Sequence, residues 1–315
     1  MATKMKTKKS TMKKAKKPTV KKMKKPVMKN VKKPVTKKMK KPAVKKSKKF
    51  AAKKPKKVIV RKQMKLIVKQ KKPIVKQKVQ VPKVAVNIIP VITMEKAPEP
   101  IPQVPKKEID LFTSDGIHIK ADIYDDVRTE KGVILVPMLG GTKETMADLA
   151  SFLHPAGYKC LAIDPRGHGR SQQNWQSFTS RDFINISNDI RAAKDYLSAH
   201  GSKKVSIIGA SIGANLALAY TVTDSEVRTI VMISPGLDYR GVKTTLAAQE
   251  MRRPFLIVVS KEDDYSYKSS VQIDRLSGSE ETKLDVFEGL GHGTEMFKDR
   301  KILKIIREWL DAHVR

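Results

Sequence analysis

Charge is segregated along this chain, and the segregation decides which part of it can build a core. Residues 1–107 carry 39 lysines and arginines against 2 acidic residues, whereas the remaining 208 residues carry 27 against 29. The formal charge of +35 therefore belongs to a tail, and the portion from Glu108 onward is nearly neutral. A domain of that length buries roughly seven tenths of the surface its unfolded chain exposes, enough for one core without disulfides. The expected organisation is a disordered basic tail, 1–107, followed by one folded domain, 108–315.

The tail contains an eight-residue repeat between positions 16 and 55, marked by Pro18, Pro26, Pro34 and Pro42. Eight residues is not a spacing at which helical or solenoid units bury a face, and each proline removes a donor and disfavours helix before it. Lysine self-repulsion adds to this, so an extended, solvated chain of polyproline II character is expected. Residues 58–92 carry short Val/Ile clusters interrupted by Pro73, Pro82 and Pro90, which read as an unfolded linker with transient strands at most. Residues 98–105 read as a stiff spacer. In composition the tail resembles the lysine- and proline-rich tails of linker histones and histone-like bacterial proteins. Binding to polyanions, nucleic acid first, is expected through release of phosphate counterions. Arg61 is its only arginine and Phe50 its only aromatic residue, so base reading and stacking are both scarce. Such binding would be nonspecific and salt-dependent; an acidic membrane surface or a solubility role are the alternatives.

No run approaches the roughly 18–20 apolar residues that span a bilayer; the longest candidate, 84–92, is broken by Asn87 and Pro90. The charged N-terminus lacks the apolar stretch of a secretory signal. Cys160, the single cysteine, sits in an apolar run and reads as a buried, inert thiol suited to a reducing cytoplasm. A cytoplasmic protein is expected.

In the folded part, 109–113 and 118–124 alternate apolar with polar about Asp115-Gly116, as in an antiparallel hairpin. Short continuous apolar runs follow at 133–136, 160–163, 205–208, 230–233, 255–259 and 284–287, as in strands covered on both faces. Helical patterns lie between them: 146–153, one helix through Phe183, Ile186, Ile190, Ala193 and Leu197, then 211–221, 266–276 and 295–313. This alternation predicts an α/β fold, a doubly wound and mostly parallel sheet with an antiparallel start. In such sheets chemistry sits at the carboxyl ends of strands.

At one such end lies Gly209-Ala210-Ser211-Ile212-Gly213, directly after a strand and before a helix. A turn that sharp has no room for side chains at Gly209 or Gly213 and lifts the Ser211 hydroxyl clear of the sheet. The Ile212 amide and the helix polarity then face any oxyanion formed there. A serine nucleophile needs a base, and the base an orienting acid. Asp263 and Asp264 follow one strand, and His292 follows the next, in Gly289-Leu290-Gly291-His292-Gly293. Taken singly, a serine before a helix is most often a cap, and a loop histidine is ordinary. Three complementary groups in the order Ser, Asp, His at three strand ends point to an enzyme. His168 sits in a turn and reads as structural; His118, His154, His200 and His313 carry no signal. No Cys/His cluster has zinc spacing, and no cofactor is implied.

With these residues, and with Asp164-Pro165-Arg166-Gly167-His168-Gly169-Arg170-Ser171, which looks like a D-x-R-G-x-G-x-S loop, the segment from Glu108 to Arg315 resembles small α/β hydrolases of the esterase and dienelactone-hydrolase type. The resemblance implies Ser211 as nucleophile, His292 as general base and acid, and Asp263 as the orienting carboxylate, with Asp264 the alternative. The family often has His-Gly after its third strand, where this chain has Pro137-Met138. The second oxyanion donor is a backbone amide, so the role survives the change of side chain; it is assigned to Leu139, with Met138 the alternative register. The implied activity is hydrolysis of a small ester or thioester through an acyl-enzyme. The alternatives are an acyltransferase on the same triad, or a nucleic-acid-binding protein with a non-catalytic hydrolase-like domain. Between 230–233 and 255–259 there are too few residues for a large cap domain, which predicts a fairly open site.

Overall fold

The computed structural model describes residues 87–88 and 101–315; the proline-marked repeat and the rest of the segment read as tail, 1–86 and 89–100, lie outside the described residues. Eleven strands occur among the described residues: β1 (Asn87–Ile88), β2 (Lys107–Phe112), β3 (His118–Tyr124), β4 (Lys131–Val136), β5 (Lys159–Ile163), β6 (Lys204–Ala210), β7 (Val227–Ile233), β8 (Asp238–Tyr239), β9 (Val242–Lys243), β10 (Phe255–Ser260) and β11 (Thr282–Phe287). All but β8 and β9 form one sheet in the order β1-β11-β10-β7-β6-β4-β5-β3-β2. The expected hairpin is β2–β3, with register from Lys107↔Ile123 to Phe112↔His118. Its turn is closed by the Ile117 amide donating to Thr113 Oγ1 at 2.9 Å, with Gly116 at φ 81°. β3 also runs antiparallel to β5, and every other neighbour in the sheet is parallel.

Period-two alternation sends the strand residues to two cores. Ile134 and Val136 of β4 join one cluster, and Val133 and Leu135 the other. The first face is covered by α2 (Ser180–Ile184), α3 (Ser187–Ala199), α4 (Ile212–Thr223), α5 (Thr245–Glu250) and α6 (Asp264–Leu276). The second is covered by α1 (Ala147–Leu153) and α7 (Arg300–His313). This is the doubly wound architecture of the α/β-hydrolase fold. Cys160 is fully buried between the sheet and the second layer, where burial pushes its thiol pKa up. No helix among the described residues is long and apolar enough to cross a membrane.

Two expectations for helices need correction. The pattern from Phe183 to Leu197 is not one helix: α2 ends at Ile184 and α3 starts at Ser187, with the Ser187 hydroxyl donating to Ile184 O at 2.8 Å. All five apolar residues still reach the same core, so the spacing recorded burial rather than continuity. The 295–313 segment likewise divides into a 3₁₀ turn, Gly293–Lys298, and α7. Asp299, extended at φ −96° and ψ 114°, separates them and caps α7 by accepting from the Lys301 amide at 2.8 Å. The sheet also reaches into the segment read as tail. β1 pairs in parallel with β11, Asn87↔Asp285 and Ile88↔Val286, and Ile101 and Val104 pack against the second core. An open parallel edge supplies the backbone partners that a short strand between prolines lacks alone.

The loop after β5 is tied down from several sides. Asp164, fully buried, accepts the Lys143 amide at 2.8 Å and the Arg170 amide at 3.1 Å, which joins it to the loop after β4. Gly169 lies so close that a Cβ there would stand 2.3 Å from the Asp164 carboxylate. Arg166, 3% exposed, bonds Asp189 and Asp115 together. His168 is buried with Nδ1 3.0 Å from Arg166 O and its ring stacked on Trp175, a structural position as expected. Burial pushes its pKa down.

Candidate active site

The turn between β6 and α4 is as tight as its glycines imply. A Cβ on Gly209 would stand 2.1 Å from Gly213 O, and one on Gly213 would stand 2.5 Å from Val136 O. Ser211 sits at φ 55° and ψ −120°, a conformation an L-residue adopts only at a cost of order 1–3 kcal/mol, held here by its own amide donating to Ile233 O at 2.8 Å. Ile212 is the first residue of α4, so its amide has no acceptor within the helix and points toward the serine end of the turn. The hydroxyl-bearing residue is only 6% exposed.

Asp263 follows β10 and caps α6; His292 follows β11. The two meet, with Asp263 Oδ2 2.5 Å from His292 Nδ1. Asp264, the alternative acid, faces solvent at 73% side-chain exposure and pairs with Lys268 at 2.8 Å. The acid and base loops are bound to each other: Ser260 Oγ accepts the Leu290 amide at 3.1 Å, and Glu262 Oε2 accepts the Gly289 amide at 2.7 Å. That backbone bond, working against partial burial, holds the Glu262 carboxyl below its ordinary range. His292 is further fixed by its amide donating to Glu295 Oε2 at 3.2 Å, and the next amide, Gly293, donates to the buried Ser234 hydroxyl at 3.0 Å.

Ser211, Ile212, His292, Met138 and Leu139 share one cavity of about 270 Å³ with Tyr239 and Arg240. Both oxyanion registers proposed for the loop after β4 therefore border the same space as the serine. Among the described residues, no hydrogen bond joins Ser211 Oγ to the imidazole directly. Tyr239 stands beside both, its ring edge-on to His292 with centroids 6.2 Å apart and its hydroxyl 2.8 Å from Ser266 Oγ, which lies 3.5 Å from His292 Nδ1. Burial raises the Tyr239 pKa; the hydroxyls of Ser266 and Ser211 oppose that rise, and the Asp263 charge adds to it.

Sequence reasoning did not single out Tyr239, Arg240, Ser234 or Ser266. The first two arrive on the small β8–β9 hairpin, inside the connection judged too short for a cap. No separate cap domain occurs there among the described residues, and the hairpin lines the cavity that holds Ser211 through Tyr239 and Arg240. Its signal was the Arg240-Gly241 pair between short apolar positions, weak beside the longer runs.

Known proteins resemble this chain in part of its sequence and in its fold. A family model described as "Serine aminopeptidase, S33" matches residues 128–246, which include the loop after β4 and the serine turn but neither Asp263 nor His292. A polyketide transferase of Penicillium sp. is 23% identical over 165 residues, 48% of this chain and 50% of that protein. An acyltransferase of Aspergillus calidoustus is 26% identical over 157 residues, 47% of this chain and 48% of that protein. The chain thus spans about half the length of the curated relatives it matches. Among solved structures, an esterase of Pyrococcus furiosus superposes with a TM-score of 0.59 at 18% identity, covering 73% of this chain and all of that one. The superposition agrees with the α/β-hydrolase fold of the sheet and its flanking helices, and the family model matches the segment that carries the serine turn.

Proposed function

We propose that this α/β-hydrolase cleaves small carboxylic esters or thioesters through an acyl-enzyme on Ser211. The observation that carries the reading is the 2.5 Å contact between Asp263 and Nδ1 of His292, the histidine that lines one cavity with a serine in a strained turn. A carboxylate on Nδ1 keeps the ring proton there and leaves Nε2 bare as a base. In the proposed cycle His292 takes the Ser211 proton as Oγ attacks the carbonyl carbon. The oxyanion is received by the amides of Ile212 and Leu139, and the imidazolium protonates the departing oxygen or sulfur. Water, deprotonated by the same imidazole, then releases the acid and restores the serine. Catalytic hydrogen bonds are often long before substrate binds and tighten in the complex, so the lack of a resting Ser211–His292 bond is compatible with this role.

Acyl transfer is the chemistry named for the Aspergillus relative, and passing the acyl group to an acceptor other than water would use the same acyl-enzyme. The cavity has no feature that distinguishes an acceptor alcohol from water, and hydrolysis is the reading that needs no second substrate. A fluorophosphonate probe tests the nucleophile: it is expected to label the wild-type chain at Ser211 and to leave Ser211→Ala unlabelled, while the wild type hydrolyses short 4-nitrophenyl esters. An unlabelled wild type with no ester turnover would leave a non-catalytic hydrolase-like domain as the reading.

The basic segment 1–107 is a separate part of the proposal, supported by its excess of lysine. We assign it nonspecific binding of nucleic acid through counterion release. The full chain is expected to elute from a DNA column at distinctly higher salt than a chain starting at residue 101, which keeps β2; co-elution of the two would remove the assignment.

A further inference from the structure

We infer that Arg240 receives a carboxylate carried by the substrate, so that the preferred esters or thioesters are anionic; this deepens the hydrolase reading and rests on it. Arg240 lines the cavity that holds Ser211 and His292. Among the described residues it has no carboxylate within ion-pair distance and no hydrogen-bond acceptor. Several other cations near the sheet are paired: Lys143 with Asp164 and Glu144, Arg166 with Asp115 and Asp189, Lys194 with Asp224 and Glu226, and Lys261 with Glu288.

Backbone conformation makes the placement more telling. β8 and β9 pair Tyr239↔Val242, leaving Arg240-Gly241 as a two-residue loop with φ 56° and 90°. Loops of this kind need positive φ at both central positions and favour Asn-Gly or Asp-Gly, because most side chains are strained there. An arginine in the first position is thus held against local preference, and such strain is most often retained where a site uses it. The hairpin is also anchored rather than loose. The Asp238 amide donates to Tyr265 Oη at 2.9 Å, the Gly241 amide to Asp238 Oδ1 at 2.7 Å, and buried Asn215 Nδ2 to Val242 O at 2.8 Å. A fixed turn therefore presents an unpaired guanidinium at the edge of an otherwise largely apolar cavity. A guanidinium matches a carboxylate bidentately, and a planar anion on the substrate completes it.

The carboxylate can belong to the acyl chain or to the leaving group, and two ester pairs separate these sources. Mono-4-nitrophenyl adipate is compared with 4-nitrophenyl hexanoate, and 4-butyryloxybenzoate with its methyl ester, each corrected for spontaneous hydrolysis. In one pair the wild type is expected to favour the anion by about 10- to 100-fold in kcat/KM, the usual worth of a hydrogen-bonded charge. Arg240→Gln should bring that ratio close to one, and Arg240→Lys should retain part of it. Turnover of the neutral esters with no anionic preference in either pair, or a preference that survives Arg240→Gln, overturns the inference while leaving the hydrolase reading intact. No turnover of any of the four, with Ser211 unlabelled by fluorophosphonate, removes both together.

Discussion

Asp263→Asn is expected to lower kcat/KM for ester hydrolysis by about 10³- to 10⁴-fold, while Asp264→Asn stays within about threefold of the wild type. The two aspartates are neighbours in sequence and differ in what they face. Asp263 Oδ2 accepts from His292 Nδ1 at 2.5 Å, and Asp264 is turned to solvent and Lys268. An amide in place of the Asp263 carboxylate can donate to Nδ1, which moves the ring proton to Nε2 and leaves no base facing Ser211. It also removes the negative charge that stabilises the imidazolium as the bond to the carbonyl forms. Both losses fall on the transition state, so the effect should appear in kcat more than in KM. Circular dichroism and denaturant midpoints should change little, since Asp263 caps α6 only through a long 3.5 Å bond to the Ser266 amide. A large loss in Asp264→Asn with Asp263→Asn nearly intact would reverse the assignment.

That pair of aspartates also shows what the sequence could and could not resolve. Their position after an apolar strand run marked the loop, and strand-end placement is a property of local pattern. Which carboxylate turns inward depends on where α6 begins, a boundary set by capping and not by periodicity. The glycines at 209 and 213 were legible because only an absent side chain fits a turn that brings backbone to within 2.1–2.5 Å of a Cβ position. Arg240 was not legible, because a two-residue strand carries no periodic signal. Its relation to Ser211 also arises from contacts across 29 residues of sequence. Phe183 to Leu197 gave the converse case: the apolar spacing was right about burial, while the hydroxyl of Ser187 and the turn at Asn185 decided continuity. Short polar side chains compete for backbone partners, and that competition is settled locally, below the resolution of a hydrophobic pattern.

Arg166→Met is expected to destabilise the folded domain by about 3–5 kcal/mol, read as a fall in the urea midpoint, because it strands a buried carboxylate. Asp189 is fully buried and receives the Arg166 amide at 2.7 Å, Nε at 2.9 Å and Nη2 at 2.7 Å. Methionine fills the volume but keeps only the first of these. Burial already pushes Asp189 up to about 6 even though the guanidinium pulls the other way. Its folded pKa therefore lies above the unfolded value of about 3.9, so the contribution of this group favours folding at low pH and is lost as pH rises through about 6. Without Arg166 the folded pKa climbs further, and above about 6 the variant must either bury a bare charge or hold a proton that the wild type has released. The deficit should consequently be larger at pH 8 than at pH 5. Asp115 does not confuse the comparison: hydrogen bonds from Arg166 hold it well below the usual carboxylate range in the wild type, and an ordinary carboxylate without them is still ionised at both values. Asp189→Asn in the Arg166→Met background should recover part of the loss and remove most of its pH dependence, since an amide carries no charge to strand. A deficit below about 1 kcal/mol, equal at the two pH values, would mean that the pair is screened and that packing of the Gly167–Gly169 turn is what secures this loop.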